Sequence, residues 1–256
     1  MAERWNGRVA LVTGASAGIG ASVAQALVER GMKVVACARN VAKLEVMREE
    51  LRGYPGSLTV VTCDVSKEDQ VLAMFDVIRR DPNLGRLDVC INNAGLAFQA
   101  SLLSGDTDSW RRMFDVNVLG LMMCTREAVK LMREKNIDDG QIILVNSLLG
   151  VKPLKRIPLH GYMVTKHAVA AVREGLRTEL KELKSHIRVS QVCPGVVETE
   201  FFERMFGDQD KAEAMISRFK CLKAEDVKDS ILYILDAPPH VEVTDILMPP
   251  TEQADV

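Results

Sequence analysis

Tyr162 and Lys166 are the two residues whose types and spacing point most directly to chemistry. They stand four positions apart in a segment with a helical pattern, so both side chains would lie on one helix face. A tyrosine phenol ordinarily ionises near pH ~10, and a neighbouring ammonium would favour the phenolate and lower that pKa. The pair is therefore a candidate proton donor and acceptor. The alternative is an amphipathic helix that carries a solvated lysine.

A glycine-rich segment near the amino terminus is a second candidate site. Gly14, Gly18 and Gly20 follow a short apolar run, and a helical pattern comes after them. A strand, a glycine-rich turn and a helix N-terminus together place backbone N–H groups against a diphosphate. Gly14 would let the chain turn, and the other two would permit close approach of backbone and cofactor. The alternative is an ordinary turn between a strand and a helix.

The end of the second apolar run bears on which dinucleotide would bind. NAD sites of this kind carry an acidic residue about 20 positions beyond the glycines, where it accepts hydrogen bonds from the ribose 2′-hydroxyl. This chain has Ala38 and then Arg39, followed by Asn40. A guanidinium would bind a 2′-phosphate through parallel charge-assisted hydrogen bonds, so the sequence favours NADP(H). The alternative is a surface arginine at the start of a helix.

Composition narrows the classes of protein to consider. The chain has 256 residues, 47% of them hydrophobic, and a net charge of −2, which gives no indication of nucleic-acid or anionic-membrane binding. We see no apolar run of the ~18–20 residues that a spanning helix needs, and no apolar signal core at the start. The six cysteines and four histidines are scattered. We therefore expect free thiols in a reducing, cytoplasmic compartment and no metal site.

Strand and helix patterns alternate along the whole chain. Apolar runs predict strands at 8–13, 33–38, 58–63, 87–91, 140–146, 187–193 and 243–248. Helical patterns lie at 18–30, 41–52, 67–80, 108–135, 161–184 and, with a break, 201–235. This order predicts an α/β fold, a doubly wound parallel sheet of about seven strands with helices on both faces. No linker divides it, so we expect residues 1–256 to form one domain.

The candidate residues all follow predicted strands. In an open parallel sheet, ligands bind outside the carboxyl ends of the strands. The groups that fall there, in strand order, are the glycine segment, Arg39, Asp64, the segment 92–95, Ser147, and Pro194 with Gly195. Separate weak motifs therefore converge on one predicted site.

Six motifs in this order resemble the short-chain dehydrogenases/reductases along essentially the whole chain. They are Thr13-Gly14-x-x-x-Gly18-x-Gly20, Asn92-Asn93-Ala94-Gly95, Asp115-Val116-Asn117, Ser147, Tyr162-x-x-x-Lys166 and Pro194-Gly195. The resemblance implies a Rossmann-type domain that binds a nicotinamide dinucleotide and interconverts a carbonyl and an alcohol, and the preference for NADP(H) rests on Arg39. Segments 90–97, 195–199 and 250–253 further resemble one branch of that family.

The resemblance also implies a role for each site residue. Tyr162 would be the general acid in reduction and the general base in oxidation, and Lys166 would hold the nicotinamide ribose and lower the Tyr162 pKa. Ser147 would bind the reacting oxygen, and Asn117 would support a water that links Lys166 to solvent. Asp64 and Val65 would lie by the adenine, and Val197 and Thr199 by the nicotinamide amide. The implied cofactor contacts are Gly14, Ser16, Gly18, Ile19, Gly20, Arg39, Asn40, Asp64, Val65, Asn92, Ala94, Gly95, Tyr162, Lys166, Pro194, Gly195, Val197 and Thr199.

A phenylalanine-rich segment after the sixth strand predicts an apolar lid over the substrate. Phe202 and Phe206 are its candidate substrate contacts, together with Ser147 and Tyr162. A lid of this kind would suit a steroid, isoprenoid or retinoid carbonyl or alcohol. The alternative is a helical pair that packs on the core.

Partners and other activities also follow from the resemblance. It implies that helices 116–135 and 161–184 pair across subunits in a homodimer or homotetramer. A dinucleotide-bound sensor without turnover, or an isomerase that uses its cofactor transiently, are the alternative functions.

Replacing Arg39 by aspartate is expected to shift cofactor preference from NADP(H) towards NAD(H). The carboxylate would repel a 2′-phosphate and accept hydrogen bonds from a 2′-hydroxyl. Comparing kcat/KM for both cofactors in the two proteins tests this expectation. Equal use of both cofactors by the unmodified protein would contradict it.

Overall fold

The computed structural model describes residues 3–152 and 159–253. Its centre is a seven-stranded, fully parallel sheet in the order β3-β2-β1-β4-β5-β6-β7. The strands are β1 (Val9–Thr13), β2 (Lys33–Ala38), β3 (Ser57–Thr62), β4 (Val89–Asn92), β5 (Gln141–Val145), β6 (Arg188–Pro194) and β7 (Asp245–Met248). The predicted fold class and all seven predicted strands are confirmed. Residues 1–2, 153–158 and 254–256 of the predicted domain lie outside the described residues.

Helices cover both faces of this sheet. They are α1 (Gly18–Glu29), α2 (Ala42–Glu50), α3 (Glu68–Arg80), α4 (Thr107–Phe114), α5 (Leu121–Glu134), α6 (His160–Glu182), α7 (Phe201–Phe206), α8 (Gln209–Ile216) and α9 (Ala224–Asp236). Within the described ranges, no helix is long and apolar enough to cross a membrane.

The two faces of the sheet bury two separate apolar cores. Along β1, Ala10 and Val12 pack with residues of α1 and α9, whereas Val9 and Leu11 pack with residues of α3, α5 and α6. Every residue of β1 is buried, as in β5 and β6. Strands covered on both faces are apolar at nearly every position, which is why unbroken apolar runs marked them in the sequence.

Two predicted helices differ from the structure. The pattern at 108–135 is divided by a π-helical turn, Asp115–Gly120, between α4 and α5. The pattern at 201–235 is three helices, because Gly207 ends α7 with a φ of 61° and α9 begins only at Ala224. A left-handed residue at a helix end stops the helix, and a π-turn inserts one residue within a continuous run of helix.

Candidate active site

The switch point of the sheet lies between β1 and β4, where the strand order reverses. Gly14 follows β1 with a φ of 65°, and a methyl group on it would lie 2.9 Å from the Cα atom of Ala94. A methyl group on Gly20 would lie 2.5 Å from the carbonyl oxygen of Gly14. Gly18 has a φ of 55°, and a methyl group there would lie 3.0 Å from Thr199 Cγ2. Close approach of backbone therefore requires glycine at positions 14 and 20, and a positive φ favours it at positions 14 and 18.

Thr13 and Asn93 join the loop after β1 to the loop after β4 through hydrogen bonds. Thr13 Oγ1 accepts hydrogen bonds from the backbone N–H groups of Asn93 and Ala94, both at 3.0 Å. Asn93 Nδ2 donates to the carbonyl oxygens of Thr13, at 2.9 Å, and Gly14, at 3.1 Å. Sequence reasoning assigned no role to these two side chains. Their role could have been predicted from their positions, because a hydroxyl and an amide at the ends of adjacent parallel strands can hydrogen-bond each other's loops.

Helix α1 begins directly after the glycine turn without a side-chain cap. Its N-cap residue, Ala17, is extended and has no side chain that could accept from the first-turn N–H groups. Ser16 precedes it, and Ile19 lies in the first turn with its side chain packed on the core. The first-turn N–H groups and the positive end of the helix dipole can therefore receive an anionic group.

Arg39 and Asn40 are exposed beyond the end of β2. Asn40 Oδ1 accepts from the Ala42 N–H at 3.0 Å, which starts α2. Across the described chain, the Arg39 guanidinium has no hydrogen-bond or ion-pair partner. Arg39 is therefore free to bind a ligand at the predicted adenosine end of the site.

The side chains of two predicted cofactor contacts form hydrogen bonds to other residues of the protein. Asn92 is 3% exposed, and its Nδ2 donates to Thr125 Oγ1 on α5 at 3.0 Å. Asp64 Oδ1 accepts from the Ser66 N–H at 3.0 Å and from Ser66 Oγ at 2.8 Å, which forms the turn before α3. The Asn92 side chain therefore points away from the cleft. Val65, beside Asp64, is buried.

Ser147, Tyr162 and Lys166 come together at the end of β5. Lys166 Nζ donates to the carbonyl oxygen of Val145 at 2.9 Å and lies 5.6 Å from the centroid of the Tyr162 ring. The Ser147 hydroxyl lies close enough to the Tyr162 phenol to lower its pKa, and Ser147 Oγ accepts from the Leu149 N–H at 3.2 Å. Tyr162 is 7% exposed, Lys166 is 5% exposed and Ser147 is half-buried. The structure thus brings all three predicted residues into one cluster.

Asn117 lies on the π-turn and ties this cluster to the loop after β4. Its Oδ1 accepts from the Leu96 N–H at 2.9 Å, and its Nδ2 donates to the Leu96 carbonyl at 2.8 Å and to Thr165 Oγ1 at 3.0 Å. Thr165 Oγ1 in turn donates to the Tyr162 carbonyl at 2.7 Å. A methyl group on Gly95 would lie 3.5 Å from Asn117 Oδ1 and 3.9 Å from Lys166 Nζ. Gly95 therefore keeps the space between Asn117 and Lys166 open.

Burial moves the pKa values of the central pair in opposite directions. It raises the pKa of the Tyr162 phenol well above its usual value, and the nearby Ser147 hydroxyl lowers it by less. Burial lowers the pKa of Lys166 to about 8, partly offset by Cys193. In the chain without cofactor, burial therefore outweighs any lowering of the Tyr162 pKa by Lys166. Both charged forms lose hydration, and the phenol's loss exceeds any gain from an ammonium that is itself disfavoured.

The segment after β6 completes the cleft from its other side. Pro250 and Gln253 pack against Gly195, which leaves no space for a side chain there. Gln253 Oε1 accepts from the Val196 N–H at 3.0 Å. Pro194 ends β6, and Val197 is buried beside a bridge to Leu222. The segment 195–199 is thus held against the carboxyl-terminal segment and, through Thr199, against Gly18.

The phenylalanine nearest to Tyr162 is Phe201. The two ring centroids are 5.8 Å apart, and Phe201 meets Phe202 edge to face, also at 5.8 Å. Phe202 is buried and stacks on Phe206 at 6.3 Å. Phe202 and Phe206, the two predicted substrate contacts, thus stand behind Phe201. All three belong to an apolar cluster with Tyr162, Ala97, Leu149 and Met205.

Comparisons with known proteins agree with this geometry. The profile of the family described as short chain dehydrogenase matches residues 8–210, and the chain belongs to this family. It is 53% identical over 254 residues to dehydrogenase/reductase SDR family member 11 from Gallus gallus, covering 98% of this chain and 99% of that one. The human protein of that name is 51% identical over 254 residues, with 98% and 97% covered. Farnesol dehydrogenase from Aedes aegypti is 36% identical over 250 residues, with 97% and 98% covered.

Solved structures of the same class share this fold. The closed form of serine dehydrogenase complexed with NADP+ superposes with a TM-score of 0.85 at 30% identity, covering 94% of each chain. The predicted family is therefore confirmed, as is the branch that segments 90–97, 195–199 and 250–253 resemble. The chain is an oxidoreductase of the short-chain type.

Replacing Lys166 by methionine is expected to stabilise the cofactor-free protein at neutral pH. The folded pKa of about 8 lies below the ordinary 10.5, so the folded state disfavours the ammonium. That cost is complete below pH ~8 and disappears as the pH rises to ~10.5, because there both states lose the proton. After allowing for the lost hydrogen bond to Val145, we expect a gain on the order of 2 kcal/mol near pH ~7 and none near pH ~10.

Urea unfolding at the two pH values measures this difference. The matched control is Lys135→Met, because Lys135 is exposed and its replacement should leave the pH dependence unchanged. A Lys166→Met effect that is the same at both pH values would contradict the assignment of a buried, weakened cation.

Proposed function

We propose that this protein is an NADP(H)-dependent oxidoreductase that interconverts an apolar carbonyl, a ketone or aldehyde, and its alcohol. The observation that carries the proposal is the cluster of Ser147 with the buried Tyr162 and Lys166, in which Tyr162 is part of an apolar cluster. One side of this group adjoins features suited to a dinucleotide, and the other adjoins features suited to an apolar substrate.

The proton in this reaction is assigned to Tyr162. A bound nicotinamide would supply or accept the hydride. Because burial raises the Tyr162 pKa, the phenol is protonated at neutral pH, which is the form that donates to a carbonyl oxygen during reduction. Ser147, which lies beside that phenol, would donate to the same oxygen and stabilise its developing charge. In alcohol oxidation Tyr162 would accept the proton.

Lys166 and Asn117 support Tyr162 in different ways. The Lys166 ammonium is directed by the Val145 carbonyl, and it would hold the nicotinamide ribose. Asn117 acts as a positioning residue, because its side-chain amide is fully used by Leu96 and Thr165. These contacts hold open the space at Gly95 in which a water would link Lys166 to solvent.

NADP(H) is the proposed cofactor, and two features of the chain fit it. The uncapped start of α1 after the glycine turn would receive the diphosphate, and the unpartnered Arg39 would receive the 2′-phosphate. Two structural relatives are described as complexes with NADP+ or NADP. The ribose and amide contacts would come from Lys166, Val197 and Thr199.

The proposed substrate class follows from the lining beside Tyr162. Phe201, Leu149 and Ala97 belong to one apolar cluster with Tyr162 and would offer apolar surface there. A steroid, isoprenoid or retinoid carbonyl has this pattern of one polar atom on a large apolar body. One relative carries the name farnesol dehydrogenase, which supports the isoprenoid choice.

Loss of the Tyr162 hydroxyl tests the proposal directly. NADPH and NADH consumption would be followed with steroid, isoprenoid, retinoid and small aromatic carbonyls, for the unmodified protein and for Tyr162→Phe. We expect turnover with NADPH to fall about 10²–10⁴-fold in the variant, the usual scale of a positioned acid or base. The NADPH dissociation constant should stay the same.

The same experiment separates the alternative functions. Tight NADPH binding without consumption on any carbonyl would favour a sensor or scaffold with vestigial catalysis. Product formed without net NADPH consumption would favour an isomerase. Undiminished turnover in Tyr162→Phe would exclude Tyr162 as the proton donor.

Replacing Phe201 by alanine is expected to raise KM for bulky apolar carbonyls several-fold and to change KM for small carbonyls little. The reason is that Phe201, and not Phe202, contacts Tyr162 in the apolar cluster. Tyr54→Ala, at an exposed aromatic residue outside that cluster, is the control. Equal KM values for all substrates in Phe201→Ala would contradict the lid hypothesis.

We also propose a homodimer or homotetramer that uses α5 and α6. Large apolar side chains, Phe114, Leu119 and Met122, are exposed at or before the start of α5. The cleft between α5 and α6 has a volume of about 700 Å³. Light scattering at micromolar concentration should show a dimer or tetramer, and a monomer alone would contradict this assignment.

A cytoplasmic location is the setting that best suits the thiols. All six cysteines are free, and five of them are buried. Buried thiols of this kind persist without pairing in a reducing compartment.

A further inference from the structure

A polar cleft lies at the edge of the sheet opposite the candidate active site. Its volume is about 540 Å³, and it is lined by Arg4, Asn136, Asp138, Asp139, His186, Arg188, Pro239 and His240. Arg4 shortly precedes β1, Asp139 shortly precedes β5, and Arg188 opens β6. The cleft therefore sits at the amino ends of the strands, away from the carboxyl ends where the dinucleotide is proposed to bind.

Arg188 is a buried cation with a spare donor in this cleft. The residue is 6% exposed, and its Nη1 donates to the carbonyl oxygens of Val241, at 2.7 Å, and of Ala237 and Pro238, both at 3.3 Å. Its Nη2 is buried and has no hydrogen-bond partner. The three carbonyls hold the guanidinium in place while one of its N–H groups stays unpaired.

Arg4 is a second cation with spare donors beside it. Its Nε and Nη2 are buried without a hydrogen-bond partner, and its guanidinium carbon lies 4.4 Å from the centroid of the Trp5 ring. Burial, and then the charge of Arg4, lower the pKa of Arg188 to about 10. Two neighbouring guanidinium groups with unpaired buried donors are unfavourable unless an anion joins them.

The nearby carboxylates are already engaged elsewhere. Asp139 forms a two-point ion pair with Arg8 at 2.7 and 2.8 Å. Asp138 accepts from Ser185 Oγ at 2.7 Å and also bonds the His186 ring, and Glu242 accepts from Arg177 at 2.8 Å. In the described part of the chain, neither Arg4 nor Arg188 has a carboxylate within ion-pair distance. Asp139 acts on both guanidinium groups from a longer distance, with Asp236 on Arg4 and Glu242 on Arg188, so the positive charge of this pair is only partly balanced.

We propose that this cleft is a second anion site that binds a phosphate group, either free phosphate or a small phosphate ester. Arg4 and Arg188 would donate their unpaired N–H groups to its oxygens, since the guanidinium fork matches a tetrahedral oxyanion. Arg4 is only partly buried on a short amino-terminal turn, so rotation of its side chain uncovers the donors. His186 and His240 lie at the same cleft, and imidazole N–H groups can donate hydrogen bonds.

Calorimetric titration of inorganic phosphate into the protein tests this site. The protein would be saturated with NADP+ beforehand, so that phosphate contacts at the glycine turn and Arg39 are occupied, and chloride would hold the ionic strength constant. Saturable binding is expected, weakened at least about tenfold in Arg4→Gln, because a hydrogen bond to a charged group is lost. Within the described residues Arg4 donates no hydrogen bond and only covers the Trp5 ring, so this variant should lower the melting temperature little.

Two control variants show where the phosphate binds. Arg39→Ala removes the cation proposed for the cofactor, and Arg52→Gln removes an exposed charge paired with Glu49. Both should bind phosphate as the unmodified protein does. Failure of NADP+ saturation itself would count against the proposed cofactor and would leave the Arg4→Gln comparison intact.

Glycerol 3-phosphate distinguishes the two sources of the anion. Tighter binding than phosphate would indicate a phosphate ester, and equal or weaker binding would indicate free phosphate. The absence of saturable binding by either probe, or equal affinity in Arg4→Gln and the unmodified protein, would overturn the proposal.

Discussion

The lock between the loops after β1 and β4 is the contact on which the rest of the site depends. A single hydroxyl, on Thr13, accepts from two consecutive N–H groups, and the Asn93 amide returns two hydrogen bonds to the glycine turn. Both loops are irregular and partly buried, so without these bonds several backbone groups would be unsatisfied. Because the loops meet backbone to backbone, Gly14 and Gly20 have no room for a side chain.

A second constraint is the burial of two ionisable groups side by side. Tyr162 and Lys166 are held on one face of α6, and Asn117 and Thr165 fix that helix against the loop after β4. Burial favours the neutral form of each, so the chain alone presents a protonated phenol next to a weakened ammonium. The Tyr162 phenol is therefore in the form that can donate a proton. Packing, more than attraction between Tyr162 and Lys166, keeps the two side chains together.

Much of the fold was accessible from the pattern of apolar residues. Strands such as β1 and β5 are buried on both faces, so their residues are apolar without interruption and their bounds could be predicted closely. The π-turn at Asp115–Gly120 could not be predicted, because α4 and α5 run directly into it and no helix end marks its position. That turn is what aims Asn117 at Leu96 and Thr165.

The candidate site, like the fold, has features that the sequence predicts and features that only the structure shows. The sequence by itself determined which residue types stand at the carboxyl ends of the strands: glycines after β1, Arg39 after β2, Ser147 after β5, with Tyr162 and Lys166 one helical turn apart. Only the tertiary structure decided that the Asn92 side chain turns inward to Thr125, that Phe201 is the ring against Tyr162, and that burial reverses the expected shift of the Tyr162 pKa. The physical reason is that these features depend on segments that are distant in the sequence. Such segments decide where a side chain points, which ring of a short helix meets Tyr162, and how much hydration a group loses. The local spacing of residues does not show which distant segments will pack there.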